Sequence, residues 1–368
     1  MKIGTVTVHH AHNYGAMLQA YALQQELIEL GYETELVDYD EINSKLFVKL
    51  NNKSIKDIIS WIFYNLRTLI HYKEMKMAFN RFENFYEIYF YKSKKFNDYN
   101  DIDVSYLDML LVGSDQVWCF KQGGNRPFFQ LKFNNDIMKA SYAASMGGFF
   151  CLSDEQKKDF SSSLQGFKRF SVRERETGEY IKNVIEDISY EVSLDPVFLL
   201  NRERWMNLSN DSFQYELPDK YILCYELIRG DGTKECIEKL KKKYDLPVVV
   251  LHANIYSAIK GDINIYDAGP LEMIYLINHS EVVVTSSFHG TVFSIVFDKP
   301  FYSILTKHGP GRISEMLNNM RLSDRIFKLG SDVNLDCDFK YSTKILDIEK
   351  EQSINYLRKL GEAEKCAE

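Results

Sequence analysis

Short aliphatic and β-branched runs, each followed by a polar turn and a helix-forming stretch, recur along this chain and constrain it towards parallel sheets. The first forty residues show the unit. Lys2–Val8 predicts a strand, His9–Gly15 a polar loop, Ala16–Leu30 a helix closed by Gly31, and Glu33–Val37 a strand ending at Asp38. A strand, a helix and a second strand in that order predict parallel pairing through a right-handed crossover.

The alternation resumes beyond residue 100. Strands are expected at Leu107–Val112, Lys139–Ala144 and Arg169–Val172, with a helix at Asp154–Leu164 capped by Ser153. A polar, Asn-rich stretch at 201–219 marks a boundary, after which strands at Tyr221–Tyr225, Val248–Leu251, Glu281–Thr285 and Phe301–Leu305 alternate with helices at Lys234–Tyr244, Leu271–His279 and Thr291–Phe297. The expected architecture is α/β, two doubly wound domains facing a cleft. Residues 1–200 form the first, residues 201–345 the second, and residues 346–368 a terminal helix and tail that crosses back to cap the first. A length of 368 residues suits two cores.

Residues 53–95 interrupt the rhythm. They contain no Gly or Pro, carry aromatics at helical spacing, and hold nine basic against four acidic residues, a net +5 inside a chain of −7. This segment reads as a helical insertion into the first domain. Its aromatics either pack onto the core or form a basic-aromatic surface that touches a membrane interface or a lipid-linked substrate.

Composition narrows the function classes. The overall charge of −7 argues against a nucleic-acid partner. Cys119, Cys151, Cys224, Cys236, Cys337 and Cys366 show no C-x-x-C pairing and no zinc-ligand spacing, so scattered reduced thiols and a cytoplasmic location are expected. The N-terminus lacks the features of a signal peptide, and no apolar run approaches the ~20 residues of a membrane span. His9, His10 and His12 resemble a metal cluster, but strand alternation separates neighbouring side chains, and no metal is expected.

Three strand ends carry the chemistry. In Thr285-Ser286-Ser287-Phe288-His289-Gly290-Thr291 a buried strand meets a helix start, where free N–H groups and the hydroxyls of Ser286, Ser287 and Thr291 would favour an anion; a capped helix with a structural His fits equally well. Gly113-Ser114-Asp115-Gln116-Val117-Trp118 would suit hydrogen bonding and stacking to a sugar, or an Asx turn with Trp118 packed away. Arg173 and Arg175 follow the third strand and could grip a carboxylate or phosphate, or form surface ion pairs. Arg312, after His308-Gly309-Pro310-Gly311, is a further cation opening a helix. Asn13-Tyr14-Gly15 caps the first βα turn without a G-x-G-x-x-G fingerprint, which argues against a dinucleotide.

Asn13-Tyr14-Gly15-Ala16 with Leu18–Leu23, Val112–Trp118, Ser171-Val172-Arg173-Glu174, and Ser287–Thr291 through Lys299-Pro300-Phe301 together resemble the polysaccharide pyruvyl transferase family, in order, to about residue 325. The resemblance implies a fold similar to the two-domain, Rossmann-like GT-B glycosyltransferases. It also implies transfer of the enolpyruvyl skeleton of phosphoenolpyruvate to sugar hydroxyls, giving a pyruvate ketal in bacterial surface polysaccharide (capsule or exopolysaccharide). The family's His-Gly pair falls on His289 and Gly290, and its strand-end Arg on Arg173. Better-studied members often place an Arg before that His; here Phe288 stands there, so Arg312 or Arg175 would have to supply the cation.

On this reading His289 is the acid or assists phosphate departure, and Asp115 is the base or binds acceptor. Arg173, Arg175, Arg312, Ser286, Ser287, Gly290 and Thr291 hold the donor, while Asn13, Tyr14, Gly15, Gln116 and Trp118 face a sugar or lipid-linked oligosaccharide acceptor. Phosphoenolpyruvate is a co-substrate and no cofactor is required. The location implied is cytoplasmic, with a peripheral contact at the inner membrane face through 53–95. A nucleotide-sugar glycosyltransferase and a decayed sugar- or anion-binding relative remain as alternatives.

Overall fold

The computed structural model describes residues 1–39, 55–122, 126–133, 137–185, 188–209, 215–228, 230–253, 259–306 and 310–362. Lys53 of the expected insertion, residues 210–214 of the expected boundary, His308-Gly309, and the tail from 363 with Cys366 lie outside them.

In the first half, β1 (Lys2–Val6) leads to α1 (Tyr14–Glu29), where Asn13 caps the helix by accepting the Ala16 amide at 3.3 Å. Gly31, at φ +84, turns the chain into β2 (Glu33–Leu36). The insertion is two helices, α2 (Ile55–Ile70) and α3 (Tyr72–Tyr89). β3 (Met109–Val112), β4 (Met138–Ser141), α4 (Asp154–Leu164) and β5 (Phe167–Arg169) follow. Ser153 caps α4 in a reciprocal box with Gln156. The five strands run parallel in the order β2-β1-β3-β4-β5.

The single strand expected over Arg169–Val172 is divided. Its last residues form β6 (Ser171–Val172), which pairs beyond α5 (Arg175–Val184) with β7 (Glu191–Val192) in a separate two-stranded sheet. Phe170, buried between β5 and β6, marks the switch. The Asn-rich boundary at 201–219 begins with a helix, α6 (Arg202–Leu208), because Asn201 caps it and Trp205 gives it an anchor in the core.

The second half contains β8 (Ile222–Tyr225), α7 (Thr233–Tyr244), β9 (Val248–Leu251), β10 (Ile263–Ile265), α8 (Pro270–His279), β11 (Val282–Thr285), α9 (Phe288–Val296), β12 (Phe301–Ser303) and α10 (Pro310–Asn319). Its sheet, β10-β9-β8-β11-β12, is again wholly parallel. Strand order reverses between β8 and β11 here and between β1 and β3 in the first sheet, the positions where open α/β sheets form ligand crevices.

One apolar core joins the halves. It takes Tyr14 and Leu18 from α1, Phe82 and Phe85 from α3, Tyr225 from β8 and Phe293 from α9. The terminal helix expected within 346–368 begins earlier, as α11 (Lys340–Arg358), and returns to the first sheet, where the Tyr356 hydroxyl donates to the Ser141 carbonyl at 2.7 Å. Among the described residues no helix is long and apolar enough to cross a membrane.

Trp205 is fully buried, donates to the Val197 carbonyl at 3.1 Å and meets Phe293 edge-on at 5.1 Å. Trp205→Ala is expected to destabilise the protein by about 3–5 kcal/mol in urea unfolding, whereas Met206→Ala, on the exposed side of the same helix, should stay within about 0.5 kcal/mol.

Candidate active site

α9 begins three residues earlier than its composition suggested. Ser287 accepts the Gly290 amide at 3.3 Å and so caps a helix whose first turn contains Phe288, His289 and Gly290. The hydroxyls expected to bind an anion already have protein partners. Ser286 Oγ donates to the Ile228 carbonyl at 2.7 Å, and Thr291 Oγ1 bonds the Ser287 carbonyl at 3.2 Å and Ser303 Oγ at 2.7 Å. A Cβ on Gly290 would lie 2.4 Å from Thr285 Oγ1, so this glycine lets α9 rest on β11. These four residues build the platform under His289.

The His289 ring is buried between the two halves. Its Nε2 lies 3.5 Å from Asp195 Oδ2, and its Nδ1 faces Gly15, where a Cβ would intrude to 2.0 Å. Gly15 thus makes room for the imidazole at the start of α1. Asp195 was not singled out in the sequence, yet it is the hub of the site. Its Oδ2 also receives Arg173 Nη1 at 2.9 Å and Ser114 Oγ at 3.4 Å, and its Oδ1 accepts the Val197 amide at 3.1 Å. Burial opposes its ionisation, but His289 and Arg173 outweigh that and hold the carboxyl well below the usual range.

Arg173 is buried and donates from Nε to Glu174 Oε1 at 2.8 Å, while its Nη2 has no hydrogen-bond partner among the described residues. Burial opposes its charge, and Glu174 and Asp195 overcome that, so the guanidinium is held more firmly charged than usual. Arg312 is the opposite case. Burial and the neighbouring Arg173 charge both push its pKa down, and its Nε is buried with no partner among the described residues. The Phe288 ring lies beneath both, 4.4 Å from the Arg173 guanidinium and 5.8 Å from that of Arg312. Arg173, Asp195, Phe288 and Arg312 line a cavity of about 190 Å³ whose far wall includes Met316 and Glu349. Arg175 lines it too, but its side chain is exposed.

Asp115 sits at φ +72 after β3, close enough to Arg173 and Arg312 to favour the charged form of each. The other residues expected to face an acceptor are engaged elsewhere. Trp118 is fully buried and donates to the Phe129 carbonyl at 3.2 Å, offering no face for stacking. Gln116 packs against the Gly147 turn, where a Cβ would come within 2.3 Å of its Oε1. Tyr14 is buried and donates to the Ala268 carbonyl at 3.1 Å, and Asn13 caps α1. The histidines that alternation was expected to separate do meet: His10 and His12 both reach Glu83 on α3, at 3.1 and 2.8 Å.

Two Rossmann-like halves with polar residues gathered between them define a GT-B-like α/β protein. The family model for polysaccharide pyruvyl transferase matches residues 13–308, and the chain belongs to that family of transferases. Among solved structures, a UDP co-structure of MnaA from S. aureus is 12% identical with a TM-score of 0.51, covering 97% of this chain and 90% of that one. The UDP-GlcNAc 2-epimerase from Neisseria meningitidis bound to UDP-GlcNAc is 13% identical with a TM-score of 0.42, covering 95% and 99%. A search of the curated proteins found no match.

Because a Cβ at residue 15 overlaps the His289 ring, Gly15→Ala must displace the imidazole from Asp195. A well-folded Gly15→Ala variant is expected to lose at least about tenfold in turnover, by misplacement of a reacting group. Parental activity in that variant would show that His289 needs no fixed seat.

Proposed function

We propose that this protein transfers the pyruvyl group of phosphoenolpyruvate to two hydroxyls of a sugar, as a free saccharide or a lipid-linked oligosaccharide, and releases phosphate. What carries the reading is the pair of unpartnered guanidinium donors, Arg173 Nη2 and Arg312 Nε, around a cavity next to the His289–Asp195 pair. Buried donors without acceptors are costly, and a small trianion is the kind of ligand that completes them.

The chemistry follows from the groups at hand. One hydroxyl adds to the carbon bearing the phosphate as a proton reaches the methylene carbon, which becomes a methyl group. The second hydroxyl then displaces phosphate, and its proton leaves with phosphate or solvent. His289, oriented by Asp195, supplies the proton or assists the departing phosphate. Arg173 and Arg312 hold the carboxylate and phosphate, and Asp115 takes the proton of the attacking hydroxyl. The exposed Arg175 can add to the field at the mouth but is the weaker candidate for the cation that Phe288 does not provide. The scheme requires no metal or organic cofactor.

Calorimetric titration of phosphoenolpyruvate tests the donor. Arg173→Ala and Arg312→Ala are each expected to weaken binding by about 2–5 kcal/mol, since each strands a bound anion. His289→Gln should keep donor affinity but lower phosphate release by roughly 10²–10⁴-fold. A parent protein that ignores phosphoenolpyruvate and binds a nucleotide sugar would overturn the assignment, and a product heavier by a hexose rather than a pyruvate would do the same.

A further inference from the structure

α2 is built inside out. Its face towards the body of the protein carries Trp61, Asn65 and the fully buried Thr68, with Asn65 Nδ2 donating to the Trp61 carbonyl at 3.1 Å. Its outer face carries Ile58, Ile62, Leu66, Leu69 and Ile70, which are 37–66% exposed. Spacings of four, four, three and one residues place these five along one stripe of a helix. Tyr72 and Met77 extend the exposed apolar surface into α3, beside exposed Lys73 and Lys76. A globular helix turns its aliphatic residues inward, so a stripe left uncovered by the described residues marks a surface that calls for a partner.

We propose that the outer face of α2 is an interfacial surface that docks on an anionic lipid bilayer. Charge selects this occupant. Residues 53–95 hold net +5 in a chain of −7, so the remainder carries −12. Arg81 and Lys92 of this segment are paired with Asp267, Glu272 and Glu87, while Lys73 and Lys76 stand exposed in the first turns of α3, next to the end of the stripe. A two-fold pairing of this face with a second copy would set the basic patch against itself. An anionic bilayer matches both features, taking the aliphatic stripe into the headgroup boundary and the lysines at the surface. α2 spans only 16 residues, which suits lying in the interface rather than crossing it. The inference goes beyond the proposed reaction and does not depend on it.

Vesicle co-sedimentation of the full chain is the test, using phosphatidylcholine vesicles with and without phosphatidylglycerol. The parent should bind the anionic vesicles and bind neutral ones far more weakly. Leu66→Glu/Leu69→Glu should abolish sedimentation, and Lys73→Glu/Lys76→Glu should reduce it by about tenfold or more, with thermal unfolding and phosphate release in solution unchanged. Three results would overturn the proposal: no binding of the parent to anionic vesicles; equal binding by the Leu66→Glu/Leu69→Glu variant; or a parental dimer in sedimentation velocity that this variant converts to monomer without any lipid binding. Loss of phosphoenolpyruvate binding in calorimetry is a separate readout, so failure of the reaction assignment and failure of the docking assignment stay distinguishable.

Discussion

Asp195 is a buried carboxylate on which three distant parts of the chain converge. Ser114 follows β3, Arg173 follows β6, and His289 comes from α9 in the other half. A lone ionised carboxylate in such a place would be unstable by several kcal/mol; here Arg173, His289 and the Val197 amide offset that cost. The arrangement is held from outside as well, because the turn over Pro196–Leu199 that starts at Asp195 packs against α1, α9 and α11. Register between the two sheets and the seat of the His289 ring beside Asp195 are therefore one constraint. A shift of either sheet would separate the imidazole from the carboxylate that orients it.

The second constraint is an imbalance of charge. Arg173 is countered by Glu174 and Asp195, yet Arg312 repels it, and Glu174 and Asp115 only partly offset that repulsion at Arg312. Two guanidiniums can remain near each other in a poorly solvated cleft only if something moderates the repulsion. The Phe288 ring does part of this by presenting a π-face to both. In this way an aromatic residue, where better-studied relatives often have an arginine, becomes a support for the cations that follow β6 and open α10. In the proposed reaction, the repulsion that remains would favour a bound anion.

Much of the fold was legible in local pattern. Buried strands such as Val248–Leu251, and the Ser153 cap of α4, are fixed by residues within a few positions of each other, and periodicity or cap chemistry reports them directly. What local pattern could not report is long-range. Asp195 stands before Pro196 and an apolar run, and nothing nearby signals that its partners are Ser114, Arg173 and His289. Asp-Pro at the end of a strand was the available signal, an N-cap with a carboxylate at a carboxyl-terminal sheet edge. Trp118 shows the reverse error. Its neighbours Asp115 and Gln116 look like sugar-binding residues, but its fate was decided by Phe160 and Phe167, which meet it edge-on from elsewhere in the chain. His10 and His12 meet at Glu83, some seventy residues away, and a strand-alternation rule cannot foresee a partner from an inserted helix.

That inserted helix joins the two halves. Within two residues α3 sends Arg81 to Asp267 at 3.0 Å and to Glu272 at 3.0 Å in the second half, and Glu83 to His10 and His12 in the first. Phe82, between them in sequence, packs against Tyr14, which in turn meets Tyr225 edge-on. α3 is therefore clamped by ion pairs on one side, by hydrogen bonds to His10 and His12 on the other, and by an aromatic contact with the start of α1, the same helix start that seats His289 against Gly15. α2 buries Thr68 but keeps an aliphatic face of Ile58, Ile62, Leu66, Leu69 and Ile70 outward. The two helices of the insertion differ in chemistry: the one with paired charges and buried aromatics belongs to the site's scaffold, and the other presents an exposed aliphatic stripe.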